Sequence, residues 1–117
     1  MTHTFHSTQA AAYALAKIRG KEAAAALLRV ADSQASGARY AIMYLPDVGD
    51  DLPPTTLEVL VRVIKSDDGP KDMAAIALSN LGERARSVRR ELESLLDDPA
   101  VGWIIDTALR RIPANPR

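Results

Sequence analysis

The 117-residue chain contains no cysteine. Disulfides, thiolate catalysis and cysteine-ligated zinc are therefore excluded. The absence accords with a reducing cytoplasm, which is the expected location. Aromatic residues are scarce, with one Phe, one Trp and three Tyr against 20 Ala. A core drawn mainly from Ala, Leu, Val and Ile suits closely packed helices, whereas strands favour β-branched and aromatic side chains. No run approaches the roughly 18 apolar residues of a membrane span. The longest, Ala23 to Leu28, reads as an Ala-rich helical turn. Residues 1–7 hold no basic stretch leading into an apolar one, so no secretory leader is expected there.

Excess charge is missing too, with 15 basic and 15 acidic residues. Nucleic-acid binders draw most of their affinity from phosphate contacts and carry a basic excess, so nucleic acid is not the expected partner. The balance is uneven along the chain: residues 1–45 carry +3, residues 46–81 carry −4 and residues 82–117 carry +1. No Walker glycine loop, HExxH, GxSxG or Cys/His pair occurs, so no enzyme and no cofactor is expected.

What is present is a hydrophobic share of 47%, enough for a folded domain, and a repeat. Ala followed by a large aliphatic, two variable residues and Ile or Leu recurs at Ala14-Leu15…Ile18, Ala41-Ile42…Leu45, Ala77-Leu78…Leu81 and Ala108-Leu109…Ile112. Ala11, Ala38, Ala74 and Ile105 stand three positions before each Ala. Counted from that Ala, offsets −3, 0, +1 and +4 share one face of a helix. These four B segments alternate with A segments whose apolar positions are Leu27, Leu28 and Ala31, then Leu57, Leu60, Val61 and Ile64, then Val88, Leu92, Leu95 and Leu96.

Gly20 and Gly82 sit where helices end in a left-handed residue. Pro46 stops the second B segment, and Pro53-Pro54 precedes the second A segment. Gly69-Pro70 and Asp98-Pro99 read as starts, and Ser7 or Thr8 as a cap for the first helix. The spacing predicts helices over 8–19, 22–31, 36–45, 54–65, 70–81, 84–96 and 100–112, with no strand. Residues 1–7 and 113–117 are expected to be flexible ends of an 8–112 domain.

The stretches Asp67-Asp68…Ala74…Ala77-Leu78…Leu81-Gly82 and Asp97-Asp98-Pro99-Ala100-Val101…Ile105…Ala108-Leu109…Ile112 resemble the second half of a bacterial HEAT-like repeat, of the type found in phycobilisome lyases. The resemblance covers roughly residues 8–112. It implies an all-α, short right-handed solenoid of helix pairs with the B helices on its concave face. Departures are a first repeat without its A helix, Lys71 and Gly102 where the family usually carries Arg, and a long connection from Pro46 to Pro54.

On each B segment, offsets −5, −2, −1 and +2 lie away from the apolar stripe, at 100° per residue. They place Tyr13, Arg39, Tyr40, Met43, Trp103, Asp106 and Arg110 off the stripe. Tyr, Trp, Arg and Met are enriched in interface cores, so these residues are the expected partner-binding set. The competing expectation is that Tyr13 and Tyr40 pack between adjacent B helices and that Trp103 covers the end of the stack. Asp47, Asp50 and Asp51 cluster near Gly49 in the long connection and read as a solvated turn or an acidic docking loop. Arg84, Arg86, Arg89 and Arg90 crowd the start of the last A segment, where Glu83, Glu91 and Glu93 can neutralise them. His3 and His6 lack further ligands in sequence, so no metal site is expected.

The function expected is a non-enzymatic protein-binding module whose partner is another protein with a basic surface. An immunity protein that neutralises a toxin is the concrete form. The family resemblance implies a tetrapyrrole-lyase-like or chaperone-like subunit as one alternative, and a nucleic-acid-binding HEAT-like protein as another.

Overall fold

The computed structural model describes residues 12–18, 20–32, 38–66 and 69–113, with Asp50 described only in its backbone. The expectations for residues 1–7, for His3 and His6, and for the tail beyond Pro113 lie outside the described residues. Helix α1 covers 12–18 and α2 Gly20–Asp32. Helix α3 is Ala38–Tyr44, α4 Thr56–Lys65, α5 Lys71–Leu81, α6 Arg89–Glu93 and α7 Gly102–Arg111. No strand occurs among the described residues.

The helices form two layers. α2 packs on α3, α4 on α5 and α6 on α7, and each pair stacks on the next: α3 on α5 and α5 on α7 in one layer, α2 on α4 in the other. The slab measures 47 × 30 × 18 Å, and its least dimension is that of two helices about 10 Å across. The structure is a short α-solenoid, and its core is the seam between layers. Ala41, Ile42 and Leu45, Ala74, Ala77 and Leu78, and Ile105, Ala108 and Ile112 are buried there against Leu27, Leu60, Ile64 and Leu92. The small alanines let the layers approach closely.

Local chemistry sets the boundaries. The Thr56 hydroxyl donates to Pro53 O at 2.7 Å, closing the turn that starts α4. The Ser66 hydroxyl donates to Val63 O at 2.7 Å and accepts from Gly69 N at 3.0 Å, which ends α4 and turns the chain into Pro70. The Asp98 carboxylate accepts from Ala100 N at 2.8 Å in the turn before α7. Gly20 and Gly82 have φ of 87° and 55°.

Three expectations are corrected. The last A segment is not one helix over 84–96: a 3-10 helix, Gly82–Val88, leads into the five-residue α6, and turns follow to Asp97. Its buried residues explain this, since Ala85 and Val88 are three apart and Leu92 four further on. The three-residue step between the first two matches the period of a 3-10 turn, in which residues i and i+3 eclipse. Ser94 then turns its hydroxyl to Glu91 O at 2.6 Å, a local bond that competes with helix continuation.

The connection after α3 is not a solvated turn throughout. Leu45–Asp51 is 3-10 helical with a break at Gly49 (φ 84°, ψ −135°). Leu45 and Val48 carry it into the core, against α2, α3 and α5.

In the first repeat the expected face is not the buried one. Ala14 is exposed, Leu15 half-buried and Ile18 71% exposed, while Ala12 and Ala16 are buried. The physical reason is the missing A helix. Among the described residues offsets 0 and +4 of α1 stay open, while Ala12, Ala16, Leu15 and Tyr13 make its contacts with neighbours.

Candidate binding surface

Two contacts between neighbouring B helices fix which flank faces which way. Arg39 on α3, at offset −2, forms an ion pair with Asp72 on α5 at 3.3 Å. The Tyr13 ring on α1 meets Tyr44 on α3, at offset +3, edge-on at 5.5 Å and 68°. On α3, Arg39 at −2 thus turns toward the following B helix, and Tyr44 at +3 toward the preceding one. The burial pattern agrees. Ala75 and Ser79, the −2 and +2 residues of α5, are buried where α7 packs, as are Ala12 and Ala16 on α1. The same offsets on α7 are Asp106 and Arg110, both exposed and paired with each other at 3.1 Å.

The expected binding residues therefore fall into two groups separated by α5. The first lies on α1 and α3. Tyr13 is 49% exposed and packs on Tyr44, and the Lys17 ammonium lies 5.4 Å from the centre of its ring. Tyr13, Ala16, Lys17, Tyr44 and Asp47 surround a hollow of about 270 Å3. Arg39 and Met43 are exposed beside it, and Tyr40 is half-buried against the core. The second group is Trp103, Asp106 and Arg110 on α7, one helix face at the open end of the stack. Trp103 is 68% exposed, so it does not cover the end of the stack.

Lys17, Tyr44 and Ile76 were not singled out in the sequence, yet they belong to this layer's outer surface; Ile76, on α5 between the two groups, is 40% exposed. Tyr44 and Lys17 both occupy offset +3, which lies as far from the stripe's centre as offset −2. Treating the two flanks alike would have found them. Ile76 sits at −1 and was passed over as aliphatic.

Of the acidic loop, Asp47 is exposed at the rim of the hollow, while the Asp51 carboxylate accepts from Gly20 N at 3.1 Å and caps the start of α2. The arginine cluster is largely engaged within the fold. Arg89 donates to Leu109 O at 2.8 Å and to Ile112 O, binding the C-terminal carbonyls of α7. Arg84 donates to Gly49 O, and Arg86 pairs with Glu83 at 3.2 Å. Among the described residues no three His, Cys, Asp or Glu side chains gather to hold a metal ion. No described helix is long and apolar enough to cross a membrane.

The PBS lyase HEAT-like repeat family matches residues 9–33, which span α1 and α2. The match covers one segment of the chain and supports a HEAT-like repeat there. No curated protein and no solved structure gives a significant match to it. Beyond the matched segment, α3, α5 and α7 repeat one packing scheme.

Proposed function

We propose that this helical-repeat protein binds another protein through the outer face of α1 and α3. The observation that carries the reading is the aromatic and cationic cluster of Tyr13, Tyr44 and Lys17 with Arg39 and Met43 beside it. Tyr, Arg and Met are interface-enriched types, and Tyr13, Arg39 and Met43 are exposed on helix faces here. The Arg39–Asp72 pair is half-exposed on both sides, so its removal is expected to alter stability by about 1 kcal/mol at most. Arg39 can therefore be tested for binding alone.

A photo-crosslinking residue in place of Met43 is compared with one in place of Arg29, which is exposed on α2 in the other layer. In lysate of the native host, the Met43 position is expected to capture a defined protein that the Arg29 position does not. Tyr13→Ala and Arg39→Ala should each weaken that capture with little change in melting temperature. Equal capture from both positions, or capture indifferent to both alanine variants, would sink the proposal.

The narrower role, an immunity protein seated on a basic toxin surface, draws support from the −4 charge of residues 46–81 and the exposed Asp47. Its test is whether equimolar protein blocks a toxin encoded beside its gene; full toxin activity in the presence of excess protein would reject it.

A further inference from the structure

The open end of the stack presents an apolar centre between two exchangeable ion pairs. Trp103, Asp106 and Arg110 share one face of α7 at spacings of three and four residues. Across a hollow from it stand Arg89, Glu93 and Leu96, the last 40% exposed. The charges on this surface balance, with Arg89 paired to Glu93 at 3.3 Å and Arg110 to Asp106 at 3.1 Å.

We propose that this surface pairs with the same surface of a second copy of the chain, α7 lying antiparallel on α7 about a two-fold axis that crosses its outer face between Asp106 and Arg110. Antiparallel pairing centred on residue 108 sets Asp106 opposite the second copy's residue 110 and Arg110 opposite its residue 106. The two within-chain Asp106–Arg110 pairs, one in each copy, are thereby exchanged for two between copies. The same register carries Trp103 past the end of the other copy's α7, toward the extended segment that holds the exposed Pro113. A two-fold interface must be self-complementary in this way.

Continuing the stack head-to-tail fits worse. The −2/+2 flank is small on α1 and α5, with Ala12, Ala16, Ala75 and Ser79, and on α3 it carries Arg39 and Met43, where Arg39 finds an acidic partner, Asp72, on the following B helix. On α7 that flank carries a carboxylate and a guanidinium. The uncovered face of α1 holds Ala14 and the 71% exposed Ile18, which match neither. This surface is separate from the α1–α3 face of the function proposed above, so either can fail alone.

One helix face with one turn is smaller than the about 800 Å2 per partner of a standard interface. A reversible dimer in the micromolar range is therefore expected. Sedimentation velocity from low to high micromolar concentration should show a monomer–dimer equilibrium. The chain's sole tryptophan should shift its emission to the blue as the dimer forms. Asp106→Arg presents two cations and Arg110→Asp two carboxylates; each protein alone should dimerise at least about tenfold more weakly, because like charges then face each other. Mixed in equal amounts, the two should recover the dimer as a heterodimer. Both positions are exposed, so circular dichroism should report an unchanged fold. A wild-type chain that stays monomeric throughout, a dimer indifferent to both substitutions, or a mixture that fails to re-associate would overturn the proposal.

Discussion

At the scale of single residues, Gly102 and Arg89 hold the last repeat together by opposite means. A Cβ built on Gly102 would press into the Leu96 carbonyl, a backbone group with no side-chain freedom to give way. Close approach thus explains why a glycine stands where the family resemblance leads one to expect arginine. Gly102→Ala is expected to cost about 1–3 kcal/mol, as overpacking does, despite alanine's better helix propensity; a lowered midpoint in urea unfolding checks it. Arg89 is three-quarters covered, with its side chain 25% exposed. It donates to carbonyls at the C-terminal end of α7, where a helix leaves its last carbonyls without intrahelical partners. Arg89→Met keeps the packing of the stem but leaves those carbonyls unpaired, for a loss of about 1–3 kcal/mol. Arg89→Lys should recover part of this, since an ammonium lacks the guanidinium's fork. Full wild-type stability in Arg89→Lys would show that the fork geometry contributes nothing.

At the scale of elements, the alanine seam makes the sharpest demand. Ala77 and Ala108 are 2% and 1% exposed between the two layers. Ala77→Leu or Ala108→Leu should separate the layers at a cost of about 1–3 kcal/mol, and an unchanged melting temperature in both would refute the seam. Ala14 holds the same place in the repeat but is exposed, so Ala14→Leu should leave stability within about 0.5 kcal/mol. That contrast marks how far the pattern was readable. Three of the B helices follow the period because each has an A helix to press on, and a 3.6-residue repetition encodes that directly. The first copy has the same letters without the partner, and letters alone do not say whether a partner is present. The split of the last A segment was hidden for a related reason. Its apolar residues run at intervals of three and then four, which an α-helix and a 3-10 turn accommodate alike. The binding surface was legible as residue types off the stripe. Its division into two groups was not, because that depends on which flank faces the next repeat, a property of the handedness of stacking rather than of any one helix.

At the scale of the whole molecule, stability in a stack is a sum over neighbours, and the neighbours are unequally shared. α5 touches α3, α4, α7 and both 3-10 segments. α6 is five residues long and touches α7 and the 3-10 segment before it, and α1 leaves its own stripe uncovered. Opening free energies should therefore fall from the centre to the ends rather than being uniform. Native-state hydrogen exchange is expected to find the slowest amides in α4 and α5, exchanging only with global unfolding. Those of α1 and α6 should exchange earlier through local fraying. A central cavity should then lower every protection factor together, as with Leu78→Ala at a fully buried site, for a loss of about 2–5 kcal/mol. Ile18→Ser at the exposed end of α1 should leave α5 untouched. If instead the two substitutions shift all amides alike, the layers unfold as one inseparable unit, and the description as stacked repeats applies to the geometry and not to the energetics.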